Sequence, residues 1–285
     1  MMKIVIKKEN WPFILVGILV ALIIVLLLFG GKQKNPDNQE GFFDDFEYKE
    51  VLEETGNMEK SASADWWVDS GGMFIVEKGV GKTNQGELEK GSRWQMDYFV
   101  YNSESTDDGY HPQNIFRLIT RSRWLNFREQ VYFRIIKDNF SNSSNRDESN
   151  GLLLFSRYKD EDNLYYAGVR VDGAAVIKKK VGGEYYILAS APVFEGERKY
   201  DREVNPSLLV KNQWLGLRVE TKNNPDSTID IKLYLDKERS GDWQLILSAK
   251  DDGRIGGRPL SGKYFAGIRT DFMDAEFDDF NITVI

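Results

Sequence analysis

Three short segments of this chain share an order of residues in which an arginine stands between a glycine and an acid. The glycine comes two positions before the arginine and the acid two positions after it, at Gly168, Arg170 and Asp172, at Gly216, Arg218 and Glu220, and at Gly267, Arg269 and Asp271. Side chains two positions apart in a β-strand point to the same face of the sheet. Each segment, if it forms a strand, therefore presents a guanidinium group beside a carboxylate. Such donors and acceptors suit the hydroxyls of sugars and the carboxylates of uronates.

An aromatic side chain lies on the same face four residues before Arg170, at Tyr166, and four residues before Arg269, at Phe265. If the three segments lie on adjacent or near strands of one sheet, their glycines form a shallow floor with room for a sugar ring. This interpretation predicts a ligand site made of Tyr166, Arg170, Asp172, Arg218, Glu220, Arg269 and Asp271. The alternative is a structural ladder of cross-strand arginine–acid pairs, which needs no ligand.

The composition excludes several other kinds of chemistry. The 285 residues contain no cysteine and one histidine, which excludes a disulfide scaffold, a thiol nucleophile and a multi-histidine metal site. The formal net charge is -7, whereas nucleic acid binds to a basic surface. We therefore expect no nucleic-acid partner.

The elements that carry these residues are predicted to be strands. From Phe42 onward, short segments rich in β-branched and aromatic residues alternate with turn signals. The predicted strands include Trp94–Tyr101, Leu164–Val171, Trp214–Thr221 and Phe265–Thr270. About a dozen strands at this spacing indicate an all-β fold, a two-sheet antiparallel jelly-roll sandwich.

The N-terminal forty residues predict where the protein resides. Asn10–Gly31 carries no charge, and Phe13–Phe29 is an unbroken apolar run, long enough for a helix that spans a bilayer. We therefore divide the chain into a short basic tail at residues 1–10, a transmembrane anchor at 11–31, a linker at 32–41 and a β-sandwich domain at 42–285. With the basic tail inside, this is a single-pass membrane protein that contacts the lipid bilayer through its N-terminal helix, with its C-terminal domain outside the cytoplasm. A cleaved signal peptide is the alternative.

An ordered set of segments resembles a known superfamily. These are Phe43–Phe46, Trp67–Phe74, Phe265–Arg269 and Ala275–Ile282. Together they resemble the concanavalin A-like lectin/glucanase superfamily in its laminin-G-like, single-domain form, over about residues 42–285. The resemblance implies a jelly roll of two antiparallel sheets whose concave face often binds glycans. The superfamily includes glycosidases, polysaccharide lyases and non-catalytic binding modules.

The resemblance also implies a place for calcium, where the first and last strands meet. Asp44 and Asp278 match the positions from which the ion would be held, and Asp45 and Asp279 are the next candidates. Calcium takes six to eight oxygen ligands, so backbone carbonyls would have to complete the set. Acids flanked by phenylalanines are also compatible with simple exposure to solvent.

The sequence favours binding over catalysis. The related family-16 glycosidases carry Glu-x-Asp-x-x-Glu on one strand, whereas the nearest string here, Glu276–Asn281, ends in asparagine and lies near the C-terminus. We therefore expect an extracytoplasmic, lectin-like domain that binds a glycan or polysaccharide without cleaving it. A cell-surface polysaccharide lyase or glycoside hydrolase is one alternative, and a protein-binding adhesion module is another.

Overall fold

This computed structural model describes residues 41–194, 196 and 199–285, and about half of them lie in sixteen β-strands. A nine-stranded sheet has the order β14 (Gln244–Asp251), β13 (Ile229–Lys237), β12 (Trp214–Asn223), β7 (Phe127–Asp138), β16 (Met273–Val284), β5 (Val80–Lys82), β4 (Met73–Glu77) and β2 (Glu50–Glu53), with β1 (Gly41–Asp44) paired to β16. A seven-stranded sheet has the order β11 (Glu184–Pro192), β10 (Ala174–Val181), β9 (Leu164–Arg170), β8 (Gly151–Tyr158), β15 (Phe265–Asp271), β6 (Ile115–Thr120) and β3 (Trp66–Ser70). The strand pairings are antiparallel, which confirms the predicted all-β antiparallel sandwich.

The core lies between the two sheets and is formed by the inward residues of each strand. Tyr165, Ala167 and Val169 of β9 are fully buried there, as their alternation with polar neighbours predicts. Aromatic rings join the sheets, and Phe116 stacks on Phe277 with ring centroids 5.6 Å apart. Aromatic pairs of this kind add stabilisation beyond the apolar area that they bury.

The outer face of the seven-stranded sheet carries a second apolar cluster, made of Ile119, Leu153, Phe155, Tyr158, Leu164, Tyr166 and Val176. This face is strongly concave. Tyr185 of β11 and Arg269 of β15 lie four strands apart, about 19 Å in a flat sheet. The Tyr185 hydroxyl is nevertheless 3.5 Å from Nη1 of Arg269, so the sheet curves between the two strands and the two long side chains lean toward each other.

One predicted strand is a helix. Residues Arg93–Tyr101 form helix α1, which is followed by the short helix α2 (Ser103–Thr106). The buried residues of α1 are Trp94, Gln95 and Tyr98, a spacing that matches the helical repeat of 3.6 residues. The aromatic content of this segment resembles that of a strand, and only its packing shows the helical period. Two 3₁₀ turns, Met58–Lys60 and Pro112–Asn114, complete the helical elements of the described chain.

None of the helices in the described part of the chain has the length and apolar character that a membrane crossing requires. The predicted tail, anchor and nearly all of the linker, at residues 1–40, lie outside the described residues. The membrane anchor therefore stays a prediction from the sequence.

Candidate functional site

The structure places two of the three glycine–arginine–acid segments together and the third elsewhere. Strands β9 and β15 flank β8 in the seven-stranded sheet, and Leu153 of β8 pairs with both Gly168 and Arg269. The third segment lies in β12 of the nine-stranded sheet. The expectation that Arg218 and Glu220 share a face with the other two arginines is therefore wrong. Similar local patterns lie in different sheets, because the pairing of a strand depends on residues far away in the sequence.

On the nine-stranded sheet, the arginine belongs to a structural ladder. The Arg218 guanidinium lies 4.0 Å from the ring centroid of Trp243, and its Nε donates to Gln130 of the neighbouring strand at 2.9 Å. Glu220 accepts from Nε of Arg128 at 2.7 Å. Gly216 leaves no open floor there, since an added Cβ would lie 2.7 Å from the Trp243 ring. The ladder alternative holds for this segment.

The glycines of the other two segments serve strand packing rather than ligand space. A Cβ on Gly168 would lie 2.0 Å from the carbonyl oxygen of Leu152, and one on Gly267 would lie 2.2 Å from that of Leu118. No side chain fits at such distances, so these positions need glycine for the close approach of neighbouring strands. The expectation that these glycines leave room for a sugar ring is therefore wrong.

A cleft opens on the concave face, and two adjoining parts of it share Ile115, Tyr185, Arg269 and Asp271. The parts have volumes of about 400 and 200 Å³. The remaining lining comes from three regions, namely the end of α1 and α2 with Asn102 and Ser105, the loop before β8 with Asn145, Asp147, Ser149 and Asn150, and the sheet itself with Arg117, Tyr166, Lys178 and Phe272.

The centre of the cleft is the ion pair between Arg269 and Asp271. Nε of Arg269 lies 2.9 Å from Oδ1 of Asp271, and the Asp271 side chain is only 3% exposed. Burial raises the pKa of Asp271, and Arg269 counteracts part of that rise. Burial would also raise the pKa of the Tyr185 hydroxyl, but Arg269 and Lys180 outweigh it and leave that pKa lowered. The cleft thus presents a cation, an acceptor and a polarised tyrosine together.

Of the other predicted residues, one lines the cleft and two support its wall. Tyr166 lies in the cleft and packs against the Tyr185 ring with centroids 6.0 Å apart. Arg170 pairs with Asp172 at 2.7 Å and donates to the backbone carbonyl of Glu148 at 3.1 Å. Because Glu148 belongs to the loop that forms one wall, Arg170 and Asp172 position that wall rather than line the cleft.

Lys178 and Tyr185 are among the cleft residues that sequence reasoning missed. Lys178 is one of three consecutive lysines in β10, Lys178–Lys180. In the structure Lys179 points into the core, where its ammonium pairs with Asp251 at 2.9 Å, so Lys178 points into the cleft. Side chains alternate between the two faces of a strand, so the sequence of β10 could have predicted that Lys178 and Lys179 point in opposite directions.

Lys178 is nearly enclosed by aromatic rings. Its ammonium lies 5.7 Å from the ring centroid of Tyr166 and 5.8 Å from that of Tyr185, and the residue is 8% exposed. Burial, with Arg170 and Arg269 nearby, lowers the pKa of Lys178. Within the described residues it makes no hydrogen bond and no ion pair.

The four acids that the resemblance suggested for calcium do not form one site. The Asp44 carboxylate accepts from Nε1 of the buried Trp66 at 2.7 Å and from the Tyr48 hydroxyl at 3.0 Å. Asp278 and Asp279 each bind Arg239 at 2.6 Å, and Asp45 accepts from a backbone N–H two residues along. Among the described residues there is no group of three or more acidic or histidine side chains placed to hold a metal ion. Calcium therefore has no part in the function proposed below.

No protein-family model and no curated protein matches the sequence. Solved structures are similar to it at low identity. The carbohydrate-binding module CBM66 from Bacillus subtilis is 15% identical with a TM-score of 0.46, over 76% of this chain and 94% of that one. A Bacillus licheniformis β-glucanase is 10% identical with a TM-score of 0.44, over 87% and 100%. The Ca²⁺/Man-bound exoplasmic/lumenal domain of VIP36 is 12% identical with a TM-score of 0.40, over 84% and 92%.

A Bacillus subtilis protein with a galectin-like fold is 12% identical with a TM-score of 0.42, over 85% of this chain and 98% of that one. The fold class rests on the strand order given above. At these identities and TM-scores the similarities carry no argument about what the cleft binds.

Proposed function

We propose that this chain is a lectin-like domain that binds a glycan in the concave cleft of its seven-stranded sheet and does not cleave it. The Arg269–Asp271 pair beside Tyr185 is the observation that carries the proposal. It combines charged donors, a carboxylate acceptor and an exposed ring within one concave site. Ligand sites in proteins have this character, with a few convergent polar groups among apolar and aromatic walls.

The state of the acids in the cleft supports binding rather than hydrolysis. A glycosidase uses two carboxyl groups on opposite sides of the scissile bond, one of them free to give up a proton. Here Asp271 is paired with Arg269, and Asp147 accepts from the backbone N–H and the hydroxyl of Ser149 at 2.8 and 2.6 Å. Both acids are held by structural partners.

The proposed location follows the apolar run at residues 13–29, which supports a membrane anchor with the domain outside the cytoplasm. There the domain would meet surface or extracellular polysaccharides.

A glycan array with the full-length chain in detergent tests the proposal. We expect binding to at least one glycan class, and Tyr185→Ala to weaken it by about 1–2 kcal/mol, roughly five- to thirtyfold, through loss of a central aromatic contact. Tyr186→Ala is the matched control, because this neighbouring ring packs on Gly256, away from the cleft. Its affinity should stay within about twofold of the unaltered chain.

The same samples separate the alternatives. Release of sugar fragments from a bound polysaccharide would show that the protein is a lyase or hydrolase and would overturn the non-catalytic role. Absence of binding to any glycan, or an equal loss in both tyrosine variants, would contradict the proposal.

A further inference from the structure

The cleft contains a positive charge, on Lys178, that forms no ion pair and no hydrogen bond with the described residues. Lys178 is 8% exposed as a residue, and its ammonium lies near two tyrosine rings in the cleft. A buried charge without a partner is costly, and proteins usually pair such groups or bring them to the surface. Lys179 and Lys180, its neighbours, follow this rule, since they pair with Asp251 and Asp162 respectively.

Arg269 contributes unused donors to the same space. Its Nε is taken by Asp271, and Nη1 has only the 3.5 Å contact to the Tyr185 hydroxyl. The side chain keeps 24% of its surface exposed in the cleft, so the outer edge of the guanidinium is open to a ligand. Such an edge binds carboxylates and sulfates through two parallel hydrogen bonds.

An unused acceptor lies beside these donors. Oδ2 of Asp271 is buried and has no hydrogen-bond partner within the described residues, while Oδ1 is bound to Arg269. Buried acceptors are nearly always satisfied by a donor, and a sugar hydroxyl is one. A ligand that satisfies all three groups must carry an anionic group next to a hydroxyl.

We infer that the cleft binds acidic glycans, with Lys178 and Arg269 holding a carboxylate or sulfate of the sugar and Asp271 accepting from a neighbouring hydroxyl. This inference rests on the proposed function and names the class of its ligand. Three cations, Arg117, Lys178 and Arg269, line the cleft against two acids, Asp147 and Asp271, so the charge balance in the cleft is positive although the chain has a net charge of -7.

Paired polysaccharides that differ only in charge test the inference. We compare the affinity of the full-length chain for polygalacturonate with that for its methyl ester, and for dextran sulfate with that for dextran. The charged member of at least one pair should bind at least tenfold more tightly, and the pair that responds identifies a carboxylate or a sulfate. The preference should weaken as salt rises.

Lys178→Gln should remove most of that preference, measured as the ratio of the affinities for the charged and the neutral member of a pair. Lys178→Arg, which keeps the charge, should retain it. Lys250→Gln is the control of equal charge change, because Lys250 lies on β14 with half of its side chain exposed. Melting temperatures of the variants show that each is folded.

The outcomes separate this inference from the proposed function. Equal binding to charged and neutral members, or an unchanged preference in Lys178→Gln, overturns the acidic ligand and leaves glycan binding in place. If Lys178→Gln and Lys250→Gln lose the preference for the charged member equally, the preference depends on net charge alone, and the inference of an acidic-glycan site is also overturned. Absence of binding to any polysaccharide overturns both.

Discussion

Glu129 is an acid buried in the core of the sandwich, away from the cleft. It is fully buried, and neither carboxyl oxygen makes a hydrogen bond of ordinary geometry with the described residues. Burial raises its pKa well above the usual range, and the backbone N–H of Gly267 counteracts only part of this rise. The folded protein therefore holds Glu129 protonated at pH values where the unfolded chain has released the proton.

This difference predicts how stability depends on pH. Between the unfolded pKa of Glu129, about 4.3, and its higher folded value, the native state binds one proton more than the unfolded state. The free energy of unfolding should then fall with rising pH by about 1.4 kcal/mol per pH unit from this group. Glu129→Gln keeps the shape of the side chain but cannot titrate. The free energy of unfolding of this variant should therefore increasingly exceed that of the unaltered chain as the pH rises across that window.

Denaturant unfolding of both proteins at a series of pH values measures the effect. The difference between them isolates Glu129, because the other titrating groups are common to both. A constant difference across the window would show that Glu129 titrates alike in the folded and unfolded states.

At the scale of the element, curvature of the seven-stranded sheet creates the cleft. Gly168 and Gly267 allow neighbouring backbones to approach more closely than any side chain permits, next to Leu152 and Leu118. The curl brings Tyr185, on the edge strand β11, to Arg269 on β15.

Gly168→Ala should therefore destabilise the sheet. Its Cβ would meet the carbonyl oxygen of Leu152 at 2.0 Å, and relief of such overpacking costs about 1–3 kcal/mol. Gly56→Ala is the control, because nothing lies within 4 Å of the added Cβ, and it should change stability by less than about 0.5 kcal/mol. Equal free energies of unfolding for the two variants would contradict the packing role of Gly168.

At the scale of the whole molecule, the cleft and the first described residue lie at opposite ends of the sandwich. Gly41 pairs with Thr283 near the end of β16, whereas Met273 begins that strand two residues after Asp271. Met273 and Thr283 are ten residues apart along β16, which has two bulges between them, so at most about 33 Å separates them. The chain therefore enters the sandwich at the end remote from the cleft.

The anchor prediction belongs to this scale as well. We expect the full-length chain to sediment with membranes and to resist extraction by high salt, because about 17 consecutive apolar residues favour the hydrocarbon core. A chain that begins at residue 32 should remain in the supernatant. N-terminal sequencing of the mature protein that starts after residue 31 would instead identify a cleaved signal peptide.

The local sequence determined which face of its sheet each strand residue lies on, because side chains alternate along a strand. Alternation along β9 placed Tyr165, Ala167 and Val169 in the core, and the two-residue spacing put Arg269 beside Asp271. Both follow from the geometry of an extended backbone, in which every second side chain shares a face. The segment Arg93–Tyr101 shows the limit of that approach, since its aromatic residues resemble those of a strand and its burial follows a helix.

Only the tertiary structure decided which of these local patterns meet. Arg218 carries the same neighbours as Arg269, yet β12 pairs with β7 and β13 in the other sheet. Lys178 and Tyr185 approach Arg269 because the sheet curls, and that curl sums small twists and close contacts over several strands. Spacing along a chain encodes the face on which a side chain lies. It does not encode strand register or sheet curvature, because these depend on contacts between residues far apart in the sequence.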